Sequence, residues 1–153
     1  MAKVRRLVPG DERLARETFR TMASVFEEDE AETRDAEGEP LRDEEVAALL
    51  RRDAFWALAA TEGDEVVGGV TAHVLPMTRN RETELFLYDL AVRADQQRRG
   101  IGRALVSELL SLARRAGIGT AFVPADDEDT HALEFYRAIG GTESKVRFFT
   151  FSR

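Results

Sequence analysis

The chain of 153 residues contains no cysteine. Disulfides, thiolate metal sites and cysteine nucleophiles are thereby excluded, and two separated histidines, His73 and His131, cannot build a zinc site by themselves. No apolar run approaches the roughly 20 residues of a membrane span. The first residues, Met1-Ala2-Lys3-Val4-Arg5-Arg6, are basic but lead into Pro9-Gly10-Asp11-Glu12 instead of an apolar secretory core. No export signal is expected, and the expected location is cytoplasmic. Internal repeats and low-complexity linkers are missing too. What remains is an ordinary globular composition, 43% hydrophobic, and a length that suits one compact domain spanning residues 1–153.

The net charge of −7 is unevenly spread. The segment from Glu27 and Glu28 to Glu39 carries eight acids against Arg34 alone, and Asp126-Asp127-Glu128-Asp129 adds four more. Outside these two patches the chain is net positive. Patches of one sign concentrate ligands of the other, so the expected partner is a small polycation, and a nucleic acid is disfavoured because its phosphates would be repelled. The first run, followed by Gly38 and Pro40, is also what a solvated loop looks like.

Hydrophobic periodicity predicts an α/β order. Lys3 to Val8 reads as a strand, Asp11 to Phe26 as a helix with Leu14, Thr18, Met22 and Val25 at helical spacing, and Asp43 to Arg51 as a second short helix. Ala54 to Ala60 and Val66 to Val74 read as a hairpin around Glu62-Gly63-Asp64. Leu85 to Val92 is a nearly unbroken apolar run, as suits a central strand covered on both faces. A helix from Gly100 to Ala116 stops at Gly117, Thr120 to Pro124 is a parallel strand, Asp129 to Ile139 is a helix, and Lys145 to Phe151 is the last strand.

The most informative stretch joins the central strand to the helix that follows it. Gln97-Arg98-Arg99-Gly100-Ile101-Gly102-Arg103 places a basic, glycine-containing turn where a helix begins. Unpaired backbone N–H groups and the positive end of the helix dipole converge there, with arginine side chains close by, which is the chemistry of a pyrophosphate cradle. A Walker loop is rejected because Gly-Lys-Ser/Thr is missing, and a dinucleotide fingerprint because only two glycines are present.

This turn resembles the acetyl-CoA pyrophosphate loop of the GNAT superfamily of N-acetyltransferases, whose pattern is Gln/Arg-x-x-Gly-x-Gly/Ala. Glu84 to Val92 resembles that family's central strand, and Ala132-Leu133-Glu134-Phe135-Tyr136 to Gly140 its second cofactor motif. Tyr88-Asp89-Leu90-Ala91-Val92, with Val74-Leu75-Pro76 before it and Ala125-Asp126 after it, is most similar to the type I aminoglycoside 3-N-acetyltransferases. The resemblance implies an α/β sandwich. Its mixed, largely antiparallel sheet would have six to seven strands, helices on both faces and a splay between the two central parallel strands. It also implies acetyl transfer from acetyl-CoA to the 3-amino group of an aminoglycoside by direct attack in a ternary complex, giving antibiotic resistance. Another small amine, a polyamine or a protein amine is the alternative acceptor, and a non-catalytic acyl-CoA-binding module is the third reading.

By the same resemblance, backbone groups near Leu90, Ala91 and Val92 pair with the pantetheine arm, and Gln97, Arg98, Arg99, Gly100, Ile101, Gly102 and Arg103 hold the pyrophosphate. Tyr136 protonates the leaving thiolate, and Asp126, with Asp127 and Glu128 beside it, binds the acceptor. Asp129 stands where many relatives have a cofactor-contacting asparagine; it either keeps that contact or caps its helix. Asp89 is a lone carboxylate in an apolar strand and needs compensation. Either it takes a proton from the cationic amine, directly or through water, or it accepts backbone N–H bonds at a bulge. Glu84 is its rival as base. Tyr88, on the opposite face of a regular strand from Asp89, reads as core, as do Phe135 and Trp56. Apolar residues in the Arg147–Phe151 strand suit a homodimer contact or the end of a monomeric sheet.

Overall fold

A computed structural model describes residues 1–29 and 38–153; Glu30, Glu32, Asp35 and Glu37 of the first acidic run lie outside the described residues. Backbone contacts divide the chain into two compact units, Met1–Val123 and Pro124–Arg153.

The first unit begins with strand β1 (Lys3–Arg6), helices α1 (Glu12–Asp29) and α2 (Asp43–Leu50), and strands β2 (Phe55–Glu62), β3 (Glu65–Pro76) and β4 (Thr83–Val92). Helix α3 (Ile101–Arg115) and strand β5 (Thr120–Phe122) complete it. The sheet order is β1-β2-β3-β4-β5, antiparallel except for the parallel β4–β5 pair. The β2–β3 hairpin turns through Gly63-Asp64, with Gly63 at φ +58° as a tight hairpin turn requires. Asp11 fixes the entry to α1. Its carboxylate accepts two 2.9 Å bonds from the Arg5 guanidinium and one of 2.8 Å from the Val8 N–H, and the guanidinium holds that carboxyl below the usual range.

Two helical layers enclose the sheet. Ala15, Thr18, Met22 and Val25 of α1 recur at helical spacing and are buried. Ala15 joins Phe55, Ala57 and Ala59 of β2 with Val46 and Leu50 of α2 in one cluster, while Met22 and Val25 pack on Ala91 of β4. Neighbouring strand residues point to opposite faces, so Trp56, Leu58 and Ala60 point away from that layer, and all are buried. Helix α3 contacts β1 to β4 and buries Ile101, Leu105, Val106, Leu109 and Ala113 as the second layer. Trp56 also lies under the Arg6 guanidinium, 4.7 Å from the ring centroid. Gly117 at φ +79° ends α3 with the Ile118 N–H bonded to the Ala113 carbonyl.

The second unit holds helix α4 (Thr130–Ala138). The Asp129 carboxylate accepts the Ala132 N–H at 3.0 Å and caps it, and the chain turns away at Gly140, φ +98°. Two sequence expectations are corrected here. Lys145 to Phe151 forms no strand, and the described residues form five strands, not six to seven. Aromatic and β-branched residues favour a pleated surface only where a partner strand supplies the ladder. Val146, Phe148, Phe149 and Phe151 are instead exposed.

Helix α1 approaches the sheet closely at Gly69. A Cβ there would lie 2.6 Å from Thr18 Cγ2 and 2.8 Å from Met22 Sδ. Gly69→Val is therefore expected to destabilise the protein by about 1–3 kcal/mol through overpacking, read as a lower midpoint of urea unfolding; an unchanged midpoint would contradict this packing.

Candidate active site

The site is built on an irregularity in β4. Thr71 of β3 lies opposite Asp89, but Ala72 lies opposite Leu87, so Tyr88 is an extra residue in the ladder, a β-bulge. Beyond it Ala91 faces α1, and Asp89, opposite Thr71, shares that face. Tyr88 turns to the same face: its ring meets His73 at 5.5 Å and Phe86 at 5.6 Å between centroids. The expected placement of Tyr88 in the core on the opposite face is corrected, since the bulge breaks the alternation and leaves the residue 58% exposed. Asp89 is half-buried.

Among the described residues the other edge of β4 is paired over three residues, Glu84, Leu85 and Phe86 against Thr120, Ala121 and Phe122. The ladder then stops as β5 runs into Pro124, which has no N–H to donate. The Arg93 N–H donates to the Val67 carbonyl at 2.9 Å. Because peptide groups alternate in direction along a strand, Ala91 is turned to β3 while Leu90 and Val92 are turned to the open edge. Gln97 Nε2 donates to the Val92 carbonyl at 3.0 Å and ties the following loop to this edge.

That loop runs through a 3-10 turn, Ala94–Gln96, into α3. Arg98 at φ +62° and Gly100 at φ +80° both lie in the left-handed region, the turn chemistry from which anion-binding nests of backbone N–H groups are built. Gly100 is the N-cap of α3 and has no side chain with which to cap it, and the first N–H groups of the helix, those of Ile101, Gly102 and Arg103, have no intrahelical acceptor at the positive end of the dipole. Gly102 lies inside α3 and not in the turn. The arginines divide by partner. Arg99 meets Glu62 at 3.1 Å and also Gln96, and Arg93 meets Asp95 at 2.7 Å and Glu65 at 3.2 Å. The Arg93 hydrogen bonds hold the Asp95 carboxyl below its ordinary range. Arg98 and Arg103 are exposed, with no ion pair among the described residues, and lie on either side of the Gly100 N-cap of α3.

The acidic residues fall elsewhere. Glu27 and Glu28 are exposed in the last turn of α1, which has no basic residue. Glu28 lines a polar groove of about 550 Å³ with Glu17, Thr21, Glu65 and Arg93 that reaches neither Asp89 nor Arg98. Glu84 is half-buried at the start of β4. In the second unit Asp126, Asp127 and Glu128 are exposed, Asp126 accepting the Glu128 N–H at 3.4 Å, and Tyr136 stacks edge to face on Phe135 at 5.2 Å. Both rings are half-buried, and His131 is exposed. Sequence reasoning missed the open aromatic row His73–Tyr88–Phe86–Phe122; its signal was the recurrence of Phe86 and Tyr88 at alternate positions of β4.

The model of the acetyltransferase (GNAT) family matches residues 17–140. The chain is similar to an aminoglycoside acetyltransferase, meta-AAC0020, from an uncultured soil metagenomic sample, solved in complex with sisomicin. The identity is 27% over 99% of this chain and 96% of that one, with a TM-score of 0.86. A second metagenomic aminoglycoside acetyltransferase, HMB0005, is 32% identical over 100% of this chain and 99% of its own, with a TM-score of 0.87. The [ribosomal protein bS18]-alanine N-acetyltransferase of Escherichia coli (strain K12) is 31% identical over 64 residues, 42% of this chain. That match spans 43% of the curated relative's length.

A β-branched residue is poorly tolerated at φ +80°. Gly100→Val, and Arg98→Ala separately, are expected to weaken binding of free CoA by about tenfold or more in calorimetry, roughly 1.4 kcal/mol; unchanged affinity in both variants would contradict the anion cradle.

Proposed function

Because the chain belongs to the acetyltransferase (GNAT) family, we propose that it transfers an acetyl group from acetyl-CoA to an amine of an aminoglycoside, at the 3-N position by resemblance, and thereby confers resistance. The observation that carries this reading is the conjunction of one open strand edge with one anion cradle. Leu90 and Val92 offer backbone groups to a pantetheine arm, and the loop ending at Gly100 offers N–H groups, Arg98 and Arg103 to a pyrophosphate. The fit of acetyl-CoA rests on that uncapped helix start and its left-handed turn.

Acetyl-CoA supplies a thioester; the new C–N bond forms as the C–S bond breaks and the CoA sulfur leaves as thiolate. Asp89, in the open-edge half of β4, receives the proton that the ammonium must lose, directly or through water. The backbone N–H groups of the open edge are donors suited to the developing oxyanion. The role given to Tyr136, proton donor to the leaving sulfur, is proposed on its motif alone, as is acceptor binding by Asp126, Asp127 and Glu128. Asp129 is proposed as a helix cap, on its bond to Ala132.

An aminoglycoside is favoured because two relatives named as aminoglycoside acetyltransferases align over nearly the full length of both chains, one of them with sisomicin bound. Electrostatics agrees. Glu27 and Glu28, exposed in a last turn of α1 that has no basic residue, are proposed to draw the polycation from a distance. No helix among the described residues is long and apolar enough to cross a membrane, and a cytoplasmic location is proposed.

The decisive assay is release of CoA thiol from acetyl-CoA with gentamicin, sisomicin, spermidine and a peptide of free N-terminal alanine offered in parallel. Turnover led by the aminoglycosides is expected, with acetylation at the 3-amino group in the product's NMR spectrum. Turnover confined to the peptide would replace the acceptor. Asp89→Asn is expected to lower kcat by about 100-fold or more with less than a threefold change in the KM for acetyl-CoA; the reverse split would remove Asp89 as base.

A further inference from the structure

The face of the sheet that carries Asp89 also carries a continuous row of rings. Phe55, His73, Tyr88, Phe86 and Phe122 follow one another with centroid separations of 5.5, 5.5, 5.6 and 5.0 Å. Register keeps the row on one face, since Phe55 lies opposite His73 and His73 opposite Phe86. It begins in the core, where Phe55 meets Phe19 of α1, and emerges at Tyr88, 58% exposed, and Phe122, 41% exposed. Contiguous exposed aromatic surface of this kind marks binding more often than packing. Carboxylates bracket it along β4. Glu84 precedes Phe86 by two residues on the same face and Asp89 follows Tyr88, a reach of at most about 16 Å for five extended residues.

Resting on the function proposed above, we infer that Tyr88, Phe86 and Phe122 form the wall on which the acceptor lies, with Asp89 at one end and Glu84 at the other. Such a wall takes a rigid, ring-bearing polycation. The apolar face of an amino sugar or aminocyclitol covers the rings, and its ammonium groups are drawn to the ring faces and to the two carboxylates. Glu84 is then an anchor for a distal ammonium and not a base, and Tyr88 determines specificity by its ring, not by its hydroxyl. A linear polyamine has no face to lay on the wall, and a peptide amine brings one charge where the row has two carboxylates.

Steady-state kinetics with gentamicin test this on wild type, Tyr88→Ala, Tyr88→Phe and Glu84→Gln, the exposure of Tyr88 making its variants safe for folding. Tyr88→Ala is expected to raise the gentamicin KM about tenfold while the acetyl-CoA KM stays within twofold, and Tyr88→Phe to recover most of the loss. Glu84→Gln is expected to raise the gentamicin KM with a much smaller effect on kcat than Asp89→Asn. A gentamicin KM unchanged in Tyr88→Ala overturns the inference, as does a loss that Tyr88→Phe fails to recover. Should the wild type acetylate a different amine, the aminoglycoside reading fails by itself. The KM of that amine in Tyr88→Ala then decides the wall by the same criterion. Should it acetylate none, the dissociation constant of gentamicin for wild type and Tyr88→Ala in the presence of CoA decides it.

Discussion

Everything distinctive about this sheet depends on β4 being paired differently in its two halves. From Glu84 to Phe86 it has a strand on each side; beyond Phe86 it has β3 alone among the described residues. An unpaired edge at the centre of a sheet is costly unless its peptide groups find partners. Here the Val92 carbonyl is taken by Gln97, and on the proposed function the pantetheine arm would take the remaining groups. The bulge at Tyr88 sits where this change occurs. It aims Tyr88 and Asp89 at the α1 face, so the strand that offers its backbone on one side of the ladder offers an aromatic ring and a carboxylate on one face of the sheet.

Charge is partitioned along the same strand. Past its C-terminal end lies the cationic loop, whose Arg99 and Arg93 are neutralised by Glu62, Glu65 and Asp95, while Arg98 and Arg103 have no ion pair among the described residues. Glu84 stands at its start, and Asp89 follows the bulge. On the proposed function, a dianionic pyrophosphate and a polycationic amine would be drawn to different stretches of one element, and the two reactants would meet without a nucleophilic side chain. Pre-organisation supplies the orientation: Gly69 lets α1 sit against the sheet, and Gly100 lets the loop close on the α3 dipole.

Much of this was legible in the sequence because it rests on local rules. The apolar run of β4, the spacing of α1 and α3, the glycine stops and the basic turn before α3 each carry a signal within a few residues. Four features were legible only in part or not at all. The bulge leaves no mark in composition, since any residue can occupy an extra position in a ladder, and without it Tyr88 reads as core. The segment Lys145–Phe151 has the residues of a strand but no ladder in the structure, which propensity alone cannot foresee. Asp129 carried two meanings in the sequence, and the bond to Ala132 establishes its capping one. Gln97 was legible as part of the cradle but not as the clamp on Val92, because that bond joins a loop side chain to a strand carbonyl five residues earlier.

The central claim is that the acetyl group passes directly from donor to amine while both are bound along β4, with no acetylated protein between. The most direct test is the initial-velocity pattern with acetyl-CoA and gentamicin varied against each other. Double-reciprocal lines that intersect to the left of the ordinate are predicted, as a ternary complex requires. Parallel lines, accompanied by a protein that gains one acetyl mass on incubation with acetyl-CoA alone, would mark a covalent intermediate and contradict the account.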